Sequence, residues 1–329
     1  MQTRALGRTG RQVGVVGLGC WQLGADWGEV AEDDAMAILG AAVDSGVTFL
    51  DTADVYGDGR SERLVGRLLA ERGPHAGLTV ATKMGRRANP HVADAYSLDA
   101  FRGWTDRSRE NLGVQTLDLV QLHCPPTEVY SRDEVYDALD TLVQEGRVAA
   151  YGVSVETVDE ALTAIARPGV ATVQIILNVF RRKPLERVLP AAAEAGVGII
   201  ARVPLASGLL SGKYDEATTF AADDHRTYNR GGEAFDIGET FSGVPFDVGV
   251  QAAREVAELT PIGSTTAQLA LRWIVDQPGL STVIPGASRP EQARANAEAE
   301  ELVPLDVDTL AALERIYDEH IRPHVHTRW

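Results

Sequence analysis

Leu117-Asp118-Leu119-Val120-Gln121-Leu122-His123 is a short, mostly apolar run set between two longer segments of helical period, residues 98–112 before it and 133–145 after it. Gly113 stands where the first helical segment ends, the place where glycine closes a helix and turns the chain toward a sheet. A strand so apolar, with little alternation, is buried on both faces, as in a parallel sheet covered by helices. The unit recurs: strand candidates fall at residues 13–19, 47–51, 78–83, 117–123, 149–154, 172–178, 198–203 and 281–284, eight in all. Amphipathic segments at 32–45, 61–71, 98–112, 133–145, 157–166, 185–195 and 265–277 lie between them. Gly46, Gly146, Gly169, Gly196 and Gly279 repeat the position of Gly113.

Eight βα units of about thirty residues predict an α/β fold, a (β/α)8 TIM barrel, as one domain over residues 1–329. An open doubly wound sheet is the rival, and it requires a glycine fingerprint after its first strand. Gly17-Leu18-Gly19-Cys20-Trp21-Gln22-Leu23-Gly24 fails that test, because the third glycine comes two residues late and Trp21 stands where backbone must approach a pyrophosphate. From Leu205 to about Phe246 the helical period lapses, which predicts a long functional loop after the seventh strand.

The chain has 31 Lys+Arg against 47 Asp+Glu, a net charge of −16, with 44% apolar and 24% charged residues. These are globular proportions, and the acidity argues against nucleic-acid or anionic-membrane partners. Cys20 and Cys124 are too few for a disulfide framework and lack metal-ligand spacing, so no metal site is expected. Residues 1–10 carry no signal-like apolar core and no run is of membrane length, so a cytoplasmic location is expected.

In a barrel of this kind the chemistry sits at the C-terminal strand ends. The second strand ends in Asp51, with Tyr56 close behind; the third ends in Lys83, the fourth in His123, the fifth in Ser154, and the sixth passes through Gln174. Each has a plainer explanation: Asp51 as a turn cap, Lys83 as half of a structural pair, His123 as a loop histidine, Tyr56 as an exposed turn residue. Their convergence is the stronger signal. A nearby Lys83 favours the tyrosinate, Asp51 holds that lysine charged, and Tyr56 is thereby tuned to protonate a developing alkoxide, with His123 as a second hydrogen bond. Such a site has no nucleophile or metal, so it needs a hydride from a cofactor. After the eighth strand, Ile284-Pro285-Gly286-Ala287-Ser288-Arg289-Pro290 opens a helix carrying Gln292 and Asn296. A helix N-terminus beside Ser288 and Arg289 suits the extra phosphate of NADP, and Gln292 and Asn296 share a face toward an adenine; an ordinary capped surface helix is the alternative.

Phe49-Leu50-Asp51-Thr52-Ala53-Asp54-Val55-Tyr56-Gly57, Ala81-Thr82-Lys83, residues 117–123 and Ile284-Pro285-Gly286-Ala287-Ser288 occur in order, and with them the chain resembles the aldo-keto reductases. The resemblance is to the bacterial group related to voltage-gated potassium-channel β subunits. It runs from Leu6 to Asn296.

The resemblance implies an NADPH-dependent oxidoreductase acting on CH–OH donors, reducing a ketone or aldehyde, with Tyr56 as general acid, Lys83 and Asp51 as its tuning pair and His123 orienting the carbonyl. It implies that Gly19, Cys20 and Trp21 line the nicotinamide end and that Ser154 and Gln174 hold the carboxamide. Pro204, Leu205, Ser207, Gly208 and Lys213 match the pyrophosphate stretch, with Arg226 as a further phosphate contact. Gly286, Ser288, Arg289, Gln292 and Asn296 match the adenosine-phosphate segment. Three positions depart from the family pattern: Arg202 replaces the aromatic that stacks on nicotinamide, Val155 an asparagine, and Ala295 an acidic residue. A guanidinium plane also stacks on rings.

The alternative implied by the same relatives is a non-catalytic nucleotide-binding regulatory subunit. His123, where channel-type subunits carry asparagine, and the short stretch before Leu6 favour the enzyme. A small-molecule carbonyl compound, whether sugar, small aldehyde or natural-product ketone, is the expected partner, and relatives include homo-oligomers. Phe220, Tyr228, Phe235, Trp21, Trp27 and Arg181 are candidates to shape its pocket. In a chain of charge −16, the cations expected to meet the cofactor phosphates are Arg202, Lys213, Arg226 and Arg289.

Overall fold

The structure, a computed structural model, describes residues 1–24, 30–74 and 76–329. An antiparallel hairpin, β1 (Thr3–Ala5) with β2 (Gln12–Gly14), precedes the barrel. Eight parallel strands follow: β3 (Leu18–Gly19), β4 (Phe49–Asp51), β5 (Thr79–Met84), β6 (Leu119–His123), β7 (Tyr151–Ser154), β8 (Val170–Ile176), β9 (Gly198–Arg202) and β10 (Leu280–Val283). Each pairs with the next in sequence order. Bridges Val16 to Val283 and Gly19 to Gly286 join the last strand to the first, and the Gly17 N–H donates to the Val283 carbonyl at 2.8 Å. All eight expected strands are present in the expected order.

The first differs in extent. Residues 13–19 do not form one strand, because residues 12–14 belong to the hairpin and only Leu18–Gly19 forms a strand of the barrel, with residues 15–17 joined to the last strand by single bridges. The hairpin is needed as a floor: Val13 and Leu6 are fully buried with Phe49, Ala81, Leu119, Ile200 and Ile284, which fill the lower barrel. Burying such side chains stabilises by roughly 2 kcal/mol each, more than two further ladder bonds would offer.

Around the barrel lie α1 (Glu32–Asp44), α2 (Arg60–Arg72), α3 (Leu98–Leu112), α4 (Asp133–Gln144), α5 (Val158–Ile165) and α6 (Pro184–Ala195). After β9 come α7 (His225–Tyr228), α8 (Phe246–Glu258) and α9 (Thr266–Val275), and after β10 comes α10 (Pro290–Glu298). Their ends follow local rules. Thr157 with Glu160 and Thr265 with Gln268 form capping boxes at the starts of α5 and α9, and Gly113 ends α3 at a positive φ of 67°. Among the described residues, no helix is long and apolar enough to cross a membrane.

The loop between β9 and α8 holds its shape by polar anchors, which is why no helical period marks it. Asn229, fully buried, accepts from the Ala234 and Phe235 N–H groups at 2.9 Å. Asn178 at the end of β8 donates to Ser242 at 2.8 Å and ties the loop to the barrel.

Candidate active site

Parallel register sets Asp51, Lys83, Gln121 and Gln174 in one layer at the C-terminal end of the barrel interior. Lys83 Nζ donates to Asp51 Oδ1 at 2.5 Å, to the Thr52 carbonyl at 3.0 Å and to the Tyr56 hydroxyl at 3.1 Å. Asp51 Oδ2 accepts from Gln174 Nε2 at 2.7 Å and Gln121 Nε2 at 3.2 Å. Asp51 and Lys83 are 2% and 1% exposed, so the pair is neutralised within itself rather than by water.

Tyr56 caps this layer, its ring edge-on to His123 at 5.8 Å and stacked near Trp21 at 6.0 Å. Burial pushes its hydroxyl up to about 12 against the pull of Lys83, so it is a protonated phenol near neutral pH. As expected, Lys83 pulls Tyr56 toward the tyrosinate, but desolvation outweighs that pull. Burial opposes the charge on Lys83, yet Asp51 and Tyr56 beside it hold it above the usual lysine range. His123 is driven well below the ordinary imidazole value by burial and by the Arg86 charge, so its ring is neutral.

Arg202 is 6% exposed and bound through both terminal guanidinium nitrogens. It donates through NH1 to Glu239 at 2.6 Å and through NH2 to Glu156 at 3.1 Å, the Val155 carbonyl at 3.0 Å and Cys124 Sγ at 3.8 Å. Cys124, Glu156 and Glu239 have ligand-type atoms within 4.8 Å of one another, and the guanidinium takes the place a cation would fill. Glu239 comes from the long loop, so Arg202 also fastens that loop over the barrel mouth. Nothing in the sequence pairs residues 202 and 239.

A cavity of about 860 Å³ runs from Tyr56 and His123 to α10. Gly19, Cys20, Trp21, Asp51, Ser154, Gln174, Arg202, Pro204, Leu205, Ser207, Gly208, Lys213, Arg226, Gly286, Ser288, Gln292 and Asn296 line it. Val203, Ala206, Ser207 and Gly208 all have positive φ, and this tight turn presents backbone to the cavity. The Ser207 hydroxyl is engaged elsewhere, donating to the Glu239 carbonyl and accepting from the Phe241 N–H. Gln292 Oε1 accepts from the Ser288 N–H and hydroxyl at 2.8 Å, and Asn296 Nδ2 donates to the Gly286 carbonyl at 3.1 Å.

Two of the residues expected to serve catalysis or cofactor binding stand off the wall. Lys83 lies beneath Tyr56, and Arg289 is exposed at the N-cap of α10, next to the lining Ser288. Of the expected cations, Arg202 is neutralised by glutamates and Arg226 is ion-paired with Asp224, which leaves Lys213 and Arg289 with no carboxylate within 4.0 Å among the described residues. Trp21, Tyr228 and Phe235 line the cavity near Tyr56. Phe220 packs instead against Tyr214, Phe241 and Phe246, and Arg181 lies over Trp329 at 3.6 Å; neither reaches the cavity wall. Trp27 lies outside the described residues. Arg86, Glu239 and Gln268 line the cavity without having been singled out from sequence. For Arg86 a signal existed, because it follows the third strand end by three residues.

A model described as the aldo/keto reductase family matches residues 15–318. Aldo-keto reductase YhdN of Bacillus subtilis (strain 168) is 30% identical over 306 residues, covering 91% of this chain and 88% of its own. A probable voltage-gated potassium channel subunit beta of Arabidopsis thaliana is 28% identical over 322 residues, covering 93% of each chain. The crystal structure of an aldo-keto reductase from Klebsiella pneumoniae in complex with NADPH superposes with a TM-score of 0.70 at 25% identity, covering 96% of both chains. With its eight-stranded barrel and four ordered motifs, the chain belongs to the aldo/keto reductase family.

Proposed function

We propose that the protein is an NADPH-dependent oxidoreductase that reduces a ketone or aldehyde to an alcohol, with Tyr56 as the proton donor. The observation that carries this reading is the Tyr56 hydroxyl, 3.1 Å from Lys83 Nζ, at the inner end of a cavity of about 860 Å³ that extends to Ser288 and Asn296.

The residues present fit that group. A Cβ at Gly19 would meet the Ile284 carbonyl at 2.9 Å and one at Gly208 the Tyr214 hydroxyl at 2.3 Å, so the cavity walls are built from closely packed backbone. Gln174 turns Nε2 to Asp51, which leaves its Oε1 to accept from a carboxamide. Ser154 and Gln174 would hold that carboxamide, the 203–208 turn and Lys213 the pyrophosphate, and Ser288, Arg289, Gln292 and Asn296 the adenosine phosphate. The Klebsiella relative with NADPH supports the same choice. Bound there, NADPH supplies a hydride.

Tyr56 gives its proton to the carbonyl oxygen as negative charge develops on it. Neutral His123, one ring edge away, flanks that oxygen and orients the carbonyl. Lys83 stabilises the phenolate left behind, and Asp51 keeps Lys83 charged and aimed. Trp21 shields the reacting end from water.

Tyr56→Phe removes the proton donor and leaves the cavity intact. Substrate-dependent loss of NADPH absorbance should fall about 10²- to 10⁴-fold while NADPH binding stays within about threefold. Near-normal turnover in that variant refutes the reading.

A further inference from the structure

β5 ends at Met84, and the chain then turns sharply at Gly85, whose φ is +103° and whose missing Cβ would meet the Tyr96 ring at 2.6 Å. The turn separates two adjacent arginines. Arg87 goes to Asp54 and Asp58. Arg86 goes into the cavity, where NH1 lies 3.5 Å from His123 Nε2 and the guanidinium lies 5.6 Å from the Phe235 ring centre.

Among the described residues, no carboxylate lies within 4.0 Å of Arg86. Glu239 and Glu156 are near enough to raise the Arg86 pKa, but both are bonded to Arg202. A fork of donors is therefore held charged and without an acid at the spot where a carbonyl oxygen meets Tyr56 and His123. An arginine fork matches a carboxylate in two parallel hydrogen bonds. In a 2-oxo acid the carboxylate is bonded directly to the keto carbon, so its oxygens neighbour the keto oxygen, as Arg86 NH1 neighbours His123 Nε2 at 3.5 Å.

We propose that Arg86 selects 2-oxo acids, binding the carboxylate while the neighbouring keto oxygen sits between Tyr56 and His123, with Trp21 and Phe235 as an apolar flank. This rests on the carbonyl-reductase reading above for its turnover, though not for its binding. In the reaction the keto carbon gains the hydride and the keto oxygen gains the Tyr56 proton, giving a 2-hydroxy acid and NADP⁺.

Two measurements test it. The first is binding of oxamate, a 2-oxo-acid analogue, and of its neutral counterpart oxamide to the protein saturated with NADP⁺, followed by calorimetry. Oxamate should bind at least tenfold tighter, Arg86→Gln should erase the difference, and Arg86→Lys should keep part of it, as expected for hydrogen bonds to a charged group. The second is kcat/KM for phenylglyoxylate relative to its methyl ester, a ratio that should fall about 10- to 100-fold in Arg86→Gln. Equal binding of oxamate and oxamide, or a ratio unmoved by Arg86→Gln while both compounds are reduced, overturns the proposal and leaves the reductase reading standing. Arg86-dependent oxamate binding without reduction of any carbonyl compound upholds the anion site and overturns the reductase reading.

Discussion

Lys83 and Asp51 form a buried ion pair at 2.5 Å whose two charges have no access to water, and the Tyr56 hydroxyl sits on the far side of the lysine at 3.1 Å. The carboxylate is finished by Gln121 and Gln174, so both of its oxygens are used. Removing one member leaves the other uncompensated in a low-dielectric interior, which costs about 3–5 kcal/mol. Lys83→Met should therefore lose about that much in urea unfolding, and Lys83→Met with Asp51→Asn should recover most of it. Both variants should lack turnover. A single variant as stable as the double would show that the pair does not compensate itself.

His123 and His225 are both held below the ordinary imidazole value by burial, His225 at about 4. The folded chain thus binds these protons less readily than the unfolded chain. Their contribution to stability is full above about pH 6.5 and is lost as pH falls toward their folded values. The rate of carbonyl reduction should show no ionisation near pH 6.5, because His123 is neutral throughout. A limb there that disappears in His123→Gln would contradict the neutral ring.

Asp54 has the opposite sign. It is fully buried on the Tyr56 loop, neither carboxyl oxygen has a hydrogen bond, and burial with the Glu62 charge raises it to about 7 despite Arg87. Between about pH 4 and 7 the folded chain keeps a proton that the unfolded chain has released, so stability falls as pH rises through that window. Asp54→Asn abolishes the effect. The stability of the variant relative to the parent should grow by about 2 kcal/mol from pH 5 to pH 8. A difference that is flat with pH would mean that Asp54 is already ionised in the fold.

What was legible in the sequence is what local rules determine. Apolar runs and glycine stops mark the eight strands, because a strand covered on both faces leaves a continuous apolar signature and a helix end leaves a glycine. The strand-end residues Asp51, Tyr56, Lys83 and His123 follow from the same bookkeeping of register. The hairpin floor was not legible, because Val13 reads as apolar whether it enters the barrel or plugs it. Glu239 was not legible either. Its partner Arg202 is 37 residues away through a loop without period, and only the folded loop brings the acid over the guanidinium. That contact also changes the charge map, since an arginine counted as a phosphate ligand from sequence is already neutralised in the structure.

The last prediction follows from that map. A dinucleotide phosphate must bind against a net charge of −16, and of the four cations expected near it only Lys213 and Arg289 have no carboxylate within 4.0 Å among the described residues. Lys213 lines the cavity beside the 203–208 turn, where it would meet the pyrophosphate common to NADPH and NADH. Arg289 stands at the N-cap of α10, where only the extra phosphate of NADPH would reach it. Arg289→Ala should weaken NADPH at least tenfold and NADH less than about threefold, as for a lost bidentate phosphate contact. Lys213→Ala should weaken both by similar factors. Because both side chains are exposed, raising the salt concentration should shrink each difference. Fluorescence titrations of the two nucleotides at low and high salt read all of these outcomes, and equal losses of NADPH and NADH in Arg289→Ala would remove Arg289 from the phosphate site.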